Sequence, residues 1–314
     1  MSRHSAQLTL EAQCALVRET ACANRLGVES IALSRAHGRV LAEEPAHAPG
    51  DVPHDAGRFL IPATRLTPAR IALAASRGHG QLKVARKPTV AVLTVSEGAI
   101  EPGLSPVANR LFGGARDLLV GLLRDDGLEP TCWPTLSEDE RQIEIAVRDT
   151  ACAFDMVLVC ADMGPGYGLA ASVIDRFGSV AFGSRGVDCD VPVVFASLDQ
   201  AFVMLLRAEP AQLAGAYMTL VRSLSDGLQG IETARRQPRA RLTGDLAFGT
   251  DARFAPVELA YTEAAVLEAT PIDGTGFPAL ATCRALAVAP VRGALLRAGA
   301  VVDLLALNDP GLAE

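Results

Sequence analysis

The residues whose types and spacing could do chemistry sit in loops directly after apolar runs. Thr94-Val95-Ser96-Glu97-Gly98 presents two hydroxyls and a carboxylate after Val90-Ala91-Val92-Leu93. Ala161-Asp162-Met163-Gly164-Pro165-Gly166-Tyr167-Gly168 presents a second carboxylate and three glycines after Met156–Cys160. Hydroxyls and free backbone amides hold phosphates; carboxylates hold metals or protons. Each feature also has a plainer reading. The glycine loop is a poor dinucleotide fingerprint, because its spacing is G-x-G-x-G and Pro165 removes one amide donor. It is either a strand–helix turn or a residual phosphate-binding turn. Glu97 is either a solvated loop acid or a metal ligand. Asn109 and Arg110 are either helix-start residues or ligand contacts. His54-Asp55 reads as a loop pair rather than a catalytic one. All five histidines (4, 37, 47, 54, 79) lie in the first quarter, which excludes a hydrolase with the chain order Ser, Asp, His.

The elements that position these loops alternate between strand and helix from Lys87 onward. Val90–Leu93 is apolar without a break, as in a parallel strand buried on both faces. A helix is expected over Ala108–Leu123, ended by Gly127. Leu128–Trp133 is a second strand, and Ser137-Glu138-Asp139-Glu140 is a capping box for a helix reaching Thr150. Met156–Cys160 is a third strand, Leu169–Phe177 a helix and Val191–Phe195 a further strand. Leu198–Leu224 is expected to be helical, interrupted at Pro210. This alternation predicts a doubly wound parallel sheet, with ligands beyond the carboxyl ends of its strands.

Before Lys87 the chain reads as a helical and linker segment, 1–86. Thr9 caps a helix to Cys22, Val28–Leu33 is strand-like, and Thr67-Pro68 opens a helix that Gly78 ends. After a basic linker, Gln229–Arg241, the period shifts to two. Leu242–Phe248, Arg253–Ala260, Ala265–Ala269, Ala285–Ala289 and Val301–Leu307 predict a small all-β domain, barrel or sandwich, within 238–314. The α/β domain spans 87–228.

At 314 residues, two or three domains are expected. The net charge of −7 and the lack of a dense Lys/Arg stripe argue against nucleic acid. No apolar run is long enough to span a membrane, and the N-terminus lacks the apolar centre of a signal peptide. Seven scattered cysteines without a C-x-x-C pair predict reduced, buried thiols in a cytoplasmic protein.

Several stretches resemble one family. LTLEAQCALV and ESIALSRAHGRVLAEEPAHAPGDVP are similar to the N-terminal segment of the MoeA/gephyrin E-domain proteins, the molybdopterin molybdenumtransferases. TRLTPARIALAASRGHGQLKVARKPTVAVLTVSEG resembles their approach to the cofactor-binding domain. GTGFPALATCRALAVAP and AGAVVDLLAL resemble their C-terminal β domain. The resemblance implies a three-layer α/β domain of the molybdopterin-binding type, a β domain after it, and a head-to-tail dimer. It also implies insertion of molybdate into adenylylated molybdopterin, with Mg²⁺.

The departures fall in the loops. The family's β-rich lobe is reduced to Ala56-Gly57-Arg58-Phe59-Leu60 between Asp55 and Ile61. Its Ser-Thr-Gly-Asp-Glu turn is Thr94-Val95-Ser96-Glu97-Gly98, so Glu97 stands in for the aspartate as catalytic acid and metal ligand, with Thr94 and Ser96 beside the cofactor. Its Asp-Ser-Asn-Arg start is Val107-Ala108-Asn109-Arg110, which keeps Asn109 and Arg110. Its Gly-Gly-Val-Ser loop is Ala161-Asp162-Met163-Gly164, which puts Asp162 at the reaction centre and leaves Gly164 and Gly166 for backbone approach. Its Lys-Pro-Gly-Lys-Pro run is Ser184-Arg185-Gly186-Val187-Asp188, with one cation, Arg185. Its Pro-Gly-Asn-Pro turn is Ser197-Leu198-Asp199-Gln200. Anhydride cleavage needs donors and cations around developing negative charge, so catalysis is expected to be weakened or lost. Whether the chain is an enzyme stays open. The alternative is a carrier of molybdopterin or a nucleotide, or a dimerisation partner of a full-length paralogue; a homodimer is the expected assembly.

Overall fold

The computed structural model describes residues 8–45, 60–100, 103, 111–183, 189–262 and 266–307. In chain order it begins with helix α1 (Leu10–Ala23), strand β1 (Val28–Ala32), α2 (Pro68–Ser76) and β2 (Gln81–Ala85). The α/β region follows: β3 (Val90–Val95), two short strands β4 (Ala99–Ile100) and β5 (Leu111–Phe112), α3 (Ala115–Asp125), β6 (Pro130–Cys132), α4 (Glu140–Ala153), β7 (Met156–Ala161), α5 (Pro165–Phe177), β8 (Ser179–Phe182), β9 (Val194–Leu198), β10 (Ala201–Arg207) and α6 (Pro210–Ala216). A π-helical turn, Tyr217–Val221, leads into α7 (Arg222–Leu228). The last part holds β11 (Arg239–Leu242), β12 (Leu246–Ala247), β13 (Phe254–Tyr261), β14 (Leu267–Pro271), α8 (Gly276–Thr282), β15 (Ala285–Val288), β16 (Leu295–Leu296) and β17 (Val301–Ala306). Two compact units result: Met1–Gln13 with Val90–Val221 and Arg235–Glu314, and Cys14–Thr89 with Arg222–Ala234.

The larger unit is built on a six-stranded sheet of order β6-β3-β7-β10-β9-β8. It is mixed rather than all parallel: β9 pairs antiparallel with both β10 and β8. The expected long helix over Leu198–Leu224 is the largest departure. Its first half is a hairpin, turning at Asp199 with φ +50°, and its second strand, β10, takes the sheet centre beside β7. Phe202-Val203-Met204-Leu205-Leu206 is apolar throughout, and such a run fits a doubly buried strand as well as a buried helix. The helix starts only at Pro210, where Glu209 accepts from Ala211 N and Gln212 N. The expected helix from Ala108 is also corrected. Leu111–Phe112 is a short strand, Gly113 and Gly114 follow, and α3 begins at Ala115. Paired glycines disfavour a helix interior. The capping box shifts as well: Asp139, not Ser137, caps α4 by accepting from Gln142 N.

Alternating strand residues separate two packed faces. Ala91, Leu93 and Val95 cluster with Val157, Val159, Ala161, Val203 and Leu205 against Ile143 and Val147 of α4 and Val173 and Ile174 of α5. Helices α3 and α6 pack with β3 and β10 respectively. Buried leucines such as Leu119 and Leu123 of α3 each contribute roughly 1.5–3 kcal/mol by leaving water.

The expected β region is a closed barrel of order β11-β14-β13-β15-β17. Alanines 240, 269, 285, 287 and 289 fill much of its interior, in keeping with the scarcity of aromatics. Arg253, 1% exposed, donates to Asp190 Oδ2 at 2.5 Å and to Pro290 O at 3.1 Å. Asp190, 3% exposed, also accepts from Leu10 N at the start of α1. Gln212 of α6 bridges to Arg253 N and Phe254 O. Gly215 lets α6 approach closely, since a Cβ there would lie 2.2 Å from the Phe254 ring.

In the smaller unit β1 and β2 pair antiparallel, so Gln81–Ala85 is a strand the periodicity did not reveal. Its core holds Ala36, Leu41, Leu60, Leu66, Ala74, Leu82 and Val84. Thr67 caps α2 with Pro68 in the first turn, as expected. The Arg65–Asp226 ion pair ties the loop before α2 to α7.

Candidate functional site

Three parallel strands end in one row. Val95 of β3 pairs with Ala161 of β7, and Ala161 pairs with Arg207 of β10. Ala208 N donates to Ala161 O at 2.9 Å, which holds the turn after β10 against the end of β7. The segment after β6 extends this edge: Leu136 N donates to Thr94 O and Ser96 N to Leu136 O. Side chains alternate along strands. Because Thr94 pairs with Cys160, Thr94, Ser96 and Asp162 belong to one face, opposite the face that holds Val95 and Ala161.

Thr94 is 8% exposed, and its Oγ1 has no hydrogen-bond partner among the described residues. Ser96 Oγ lies 3.5 Å from Asp162 Oδ2, to which it donates. Asp162 and Glu97 are exposed. Burial and then the nearby Asp162 push the Cys160 thiol far above its usual range, so it is inert at neutral pH.

At the start of α5, Pro165 takes the first turn and Gly168 N donates to Gly164 O. Gly166 has a packing reason: a Cβ there would lie 2.8 Å from Glu138 Oε1 and 3.2 Å from Val95 Cγ1. Glu138 therefore stands against the helix start. Tyr167 Oη donates to Pro192 O at 3.1 Å, and burial pushes its phenol up to about 12, partly offset by Arg207. Arg207 is half-buried; its Nη1 donates to Asp251 O at 3.3 Å, and its buried Nε has no partner among the described residues.

The structure thus brings together Thr94, Ser96, Glu97, Asp162, Gly164 and Gly166 at the carboxyl edge. It does not bring Ser197 there. Ser197 pairs with Phe202, which pairs with Met156, so it lies at the amino edge of the same sheet. Four to five residues of strand, roughly 13–17 Å, separate the two edges. Asn109, Arg110 and Arg185, with His54 and Asp55, lie outside the described residues. Among the described residues no group of three His, Cys, Asp or Glu could hold a metal ion. The edge residues that sequence reading missed are Glu138, Arg207 and Glu209. The signal for the last two was the apolar run Phe202–Leu206 closed by Arg207 and followed by Glu209-Pro210, a strand end and a helix start.

No family model matches the chain. A molybdopterin molybdenumtransferase from Haemophilus influenzae is 24% identical over 175 residues, which are 55% of this chain and 43% of that protein. The chain thus matches less than half the length of its curated relative. A MoeA protein of molybdopterin biosynthesis from Pyrococcus horikoshii superposes with a TM-score of 0.73 at 17% identity, over 95% of this chain and 98% of that one. A molybdenum cofactor biosynthesis protein from Pyrococcus furiosus gives 0.67 at 20% identity, over 96% and 100%. The chain is similar in sequence to the family it resembles and shares the fold of these proteins.

Proposed function

We propose that this protein binds molybdopterin in molybdenum cofactor biosynthesis, as a divergent relative of the molybdenumtransferases with weakened or lost insertion chemistry. The observation that supports this most is the fold match through nearly the whole of both chains, set beside a sequence relative that is a molybdopterin molybdenumtransferase. In this reading α4 with α5, the sheet, and α3 with α6 form three layers. Segments 1–86, 87–228 and 238–314 are its domains, and a cytoplasmic homodimer is its assembly.

Releasing an adenylyl group places negative charge on the departing phosphate. Arg207 and the first amides of α5 past Pro165 are the described groups that favour such charge. Asp162 and Glu97 oppose it. Arg207 pairs with Ala161 and so belongs to the face opposite Asp162; two exposed carboxylates at this edge make a weak oxyanion environment, and a missing donor lowers turnover by about 100-fold or more. A carrier that holds molybdopterin without turning it over is the second reading, favoured by Asp162.

Calorimetric titration with molybdopterin tests binding, and hydrolysis of adenylylated molybdopterin with molybdate and Mg²⁺ tests turnover. Saturable heat at roughly tens of micromolar is expected, with hydrolysis at least about 100-fold slower than by an intact transferase. Absence of heat in that range would overturn the proposal.

A further inference from the structure

We infer that the Phe277 ring is a removable cover on the carboxyl edge, shut where its tip rests on Gly114 and opened by a swing of the first turn of α8. The inference rests on the proposed molybdopterin site and names what controls access to it. The contact is tight: a Cβ on Gly114 would lie 2.9 Å from Cζ of the ring, 3.0 Å from Cε2 and 3.3 Å from Cε1. Both residues belong to the larger unit. Gly114 directly precedes α3, at the position where serine, threonine, asparagine or aspartate commonly caps a helix. Here no side chain caps α3, and the ring takes the space that a capping side chain would use.

The contact lies beside the candidate site. Helix α3 ends at Asp125, shortly before Pro130, which pairs with Val90 at the amino edge. Its 11 residues span roughly 16 Å, which carries its start back to the carboxyl edge. The face that holds Val95 and Ala161 is taken by α4 and α5. In the layered reading α3, which packs with β3 and β6, therefore lies over the other face, that of Thr94, Ser96 and Asp162.

The chain around Phe277 can turn. Asp273, Gly274, Thr275 and Pro278 are exposed, as is Phe277 at 40%. Gly274 and Gly276 take φ of +121° and +75°, a region that glycine enters without strain. From Ala279 onward the helix is anchored, with Ala279, Leu280 and Cys283 buried. The glycines thus stand on one side of the ring and the anchored helix body on the other. The seam at Gly215 uses the same ring-on-glycine contact, but there Phe254 is only 2% exposed. The Phe277 ring keeps far more of its surface in water and so loses less when it leaves.

Hydrogen exchange of the ligand-free chain, read on the amides of Ala115, Arg116 and Asp117, tests the cover. Stopped-flow mixing with molybdopterin tests the access. The first amides of a helix have no intrahelical acceptor, so the ring is what shields them from water. Phe277→Ala should speed their exchange by about tenfold and molybdopterin association by about fivefold. Gly114→Ala puts a methyl where the ring tip sits and should act in the same direction, although it adds atoms rather than removing them. Val301→Ala, at another exposed apolar residue of the barrel, should leave both rates unchanged. Equal melting temperatures for Phe277→Ala and the parent exclude misfolding; where that variant melts lower, Gly114→Ala carries the test. Exchange within about twofold of the parent in both variants would overturn the inference. So would association within about twofold where the parent binds molybdopterin. Faster exchange without molybdopterin heat removes the proposed function and leaves the cover; molybdopterin heat with unchanged exchange does the reverse.

Discussion

Two regions of the larger unit differ in what constrains them. Where α6 meets the barrel, the groups are buried and mostly paired: Gly215 lies under the Phe254 ring, Arg253 pairs with Asp190 while its Nε has no partner among the described residues, and Gln212 bridges both backbones. At the carboxyl edge, Asp162 and Glu97 are exposed and Thr94 Oγ1 has no hydrogen-bond partner among the described residues. The first region is specified by stability, since any gap or orphan there has no water to relieve it. The second exposes its carboxylates to water and leaves one buried hydroxyl without a partner among the described residues. A change in the first should therefore lower stability, whereas a change in the second should leave it level or raise it.

The sharpest way to break this contrast is Asp190→Ala. It leaves the Arg253 guanidinium buried without its anion and removes an acceptor for Leu10 N. A loss of about 3–5 kcal/mol is expected in urea denaturation. A loss below about 1 kcal/mol would show that the pair is relieved by water. Gly215→Ala should lose about 1–3 kcal/mol, because its Cβ would fall 2.2 Å from a buried aromatic ring. The reading depends on the ring being unable to move aside, so a neutral result would mean that Phe254 yields.

The carboxyl edge should respond in the opposite sense. Thr94→Val keeps the shape and deletes a buried hydroxyl that has no partner among the described residues, so a gain of about 1 kcal/mol is expected. Denaturation of the free protein measures it, and a comparable loss would show that the hydroxyl is satisfied within the fold. The smallest effect on stability belongs to Asp162→Asn, within about 0.5 kcal/mol because the side chain is exposed. Its consequence should lie in ligand binding instead.

Much of the framework was legible in the sequence. The unbroken runs ending at Val95 and Ala161 are strands because both faces are covered. Thr67 and Pro68 start a helix because hydroxyl and ring satisfy its first turn. The period of two after residue 238 became a barrel. The run Phe202–Leu206 was not legible, since an apolar stretch of that length carries no period to separate strand from helix. Ser197-Leu198-Asp199-Gln200 was named from its match to the family's Pro-Gly-Asn-Pro turn; with β10 read as helix, the place of Ser197 at the amino edge was not visible, and Arg207 and Glu209 were passed over.

By itself the sequence determined the local grammar: which stretches are strands and caps, which family the chain resembles, and that Ser96 and Asp162 follow strand ends, whereas Thr94, read as a turn residue, lies within β3. Those features depend on neighbours a few residues away, through side-chain period and backbone capping. Only the tertiary structure decided which strand ends share an edge. Strand order and direction join residues such as Val95, Ala161 and Arg207 that are far apart in the chain. The same pairing set Ser197 at the opposite edge. It also set Asp162 on one face with Ser96 and Thr94. Registry of that kind comes from burying the whole sheet at once, and no short stretch of sequence carries it.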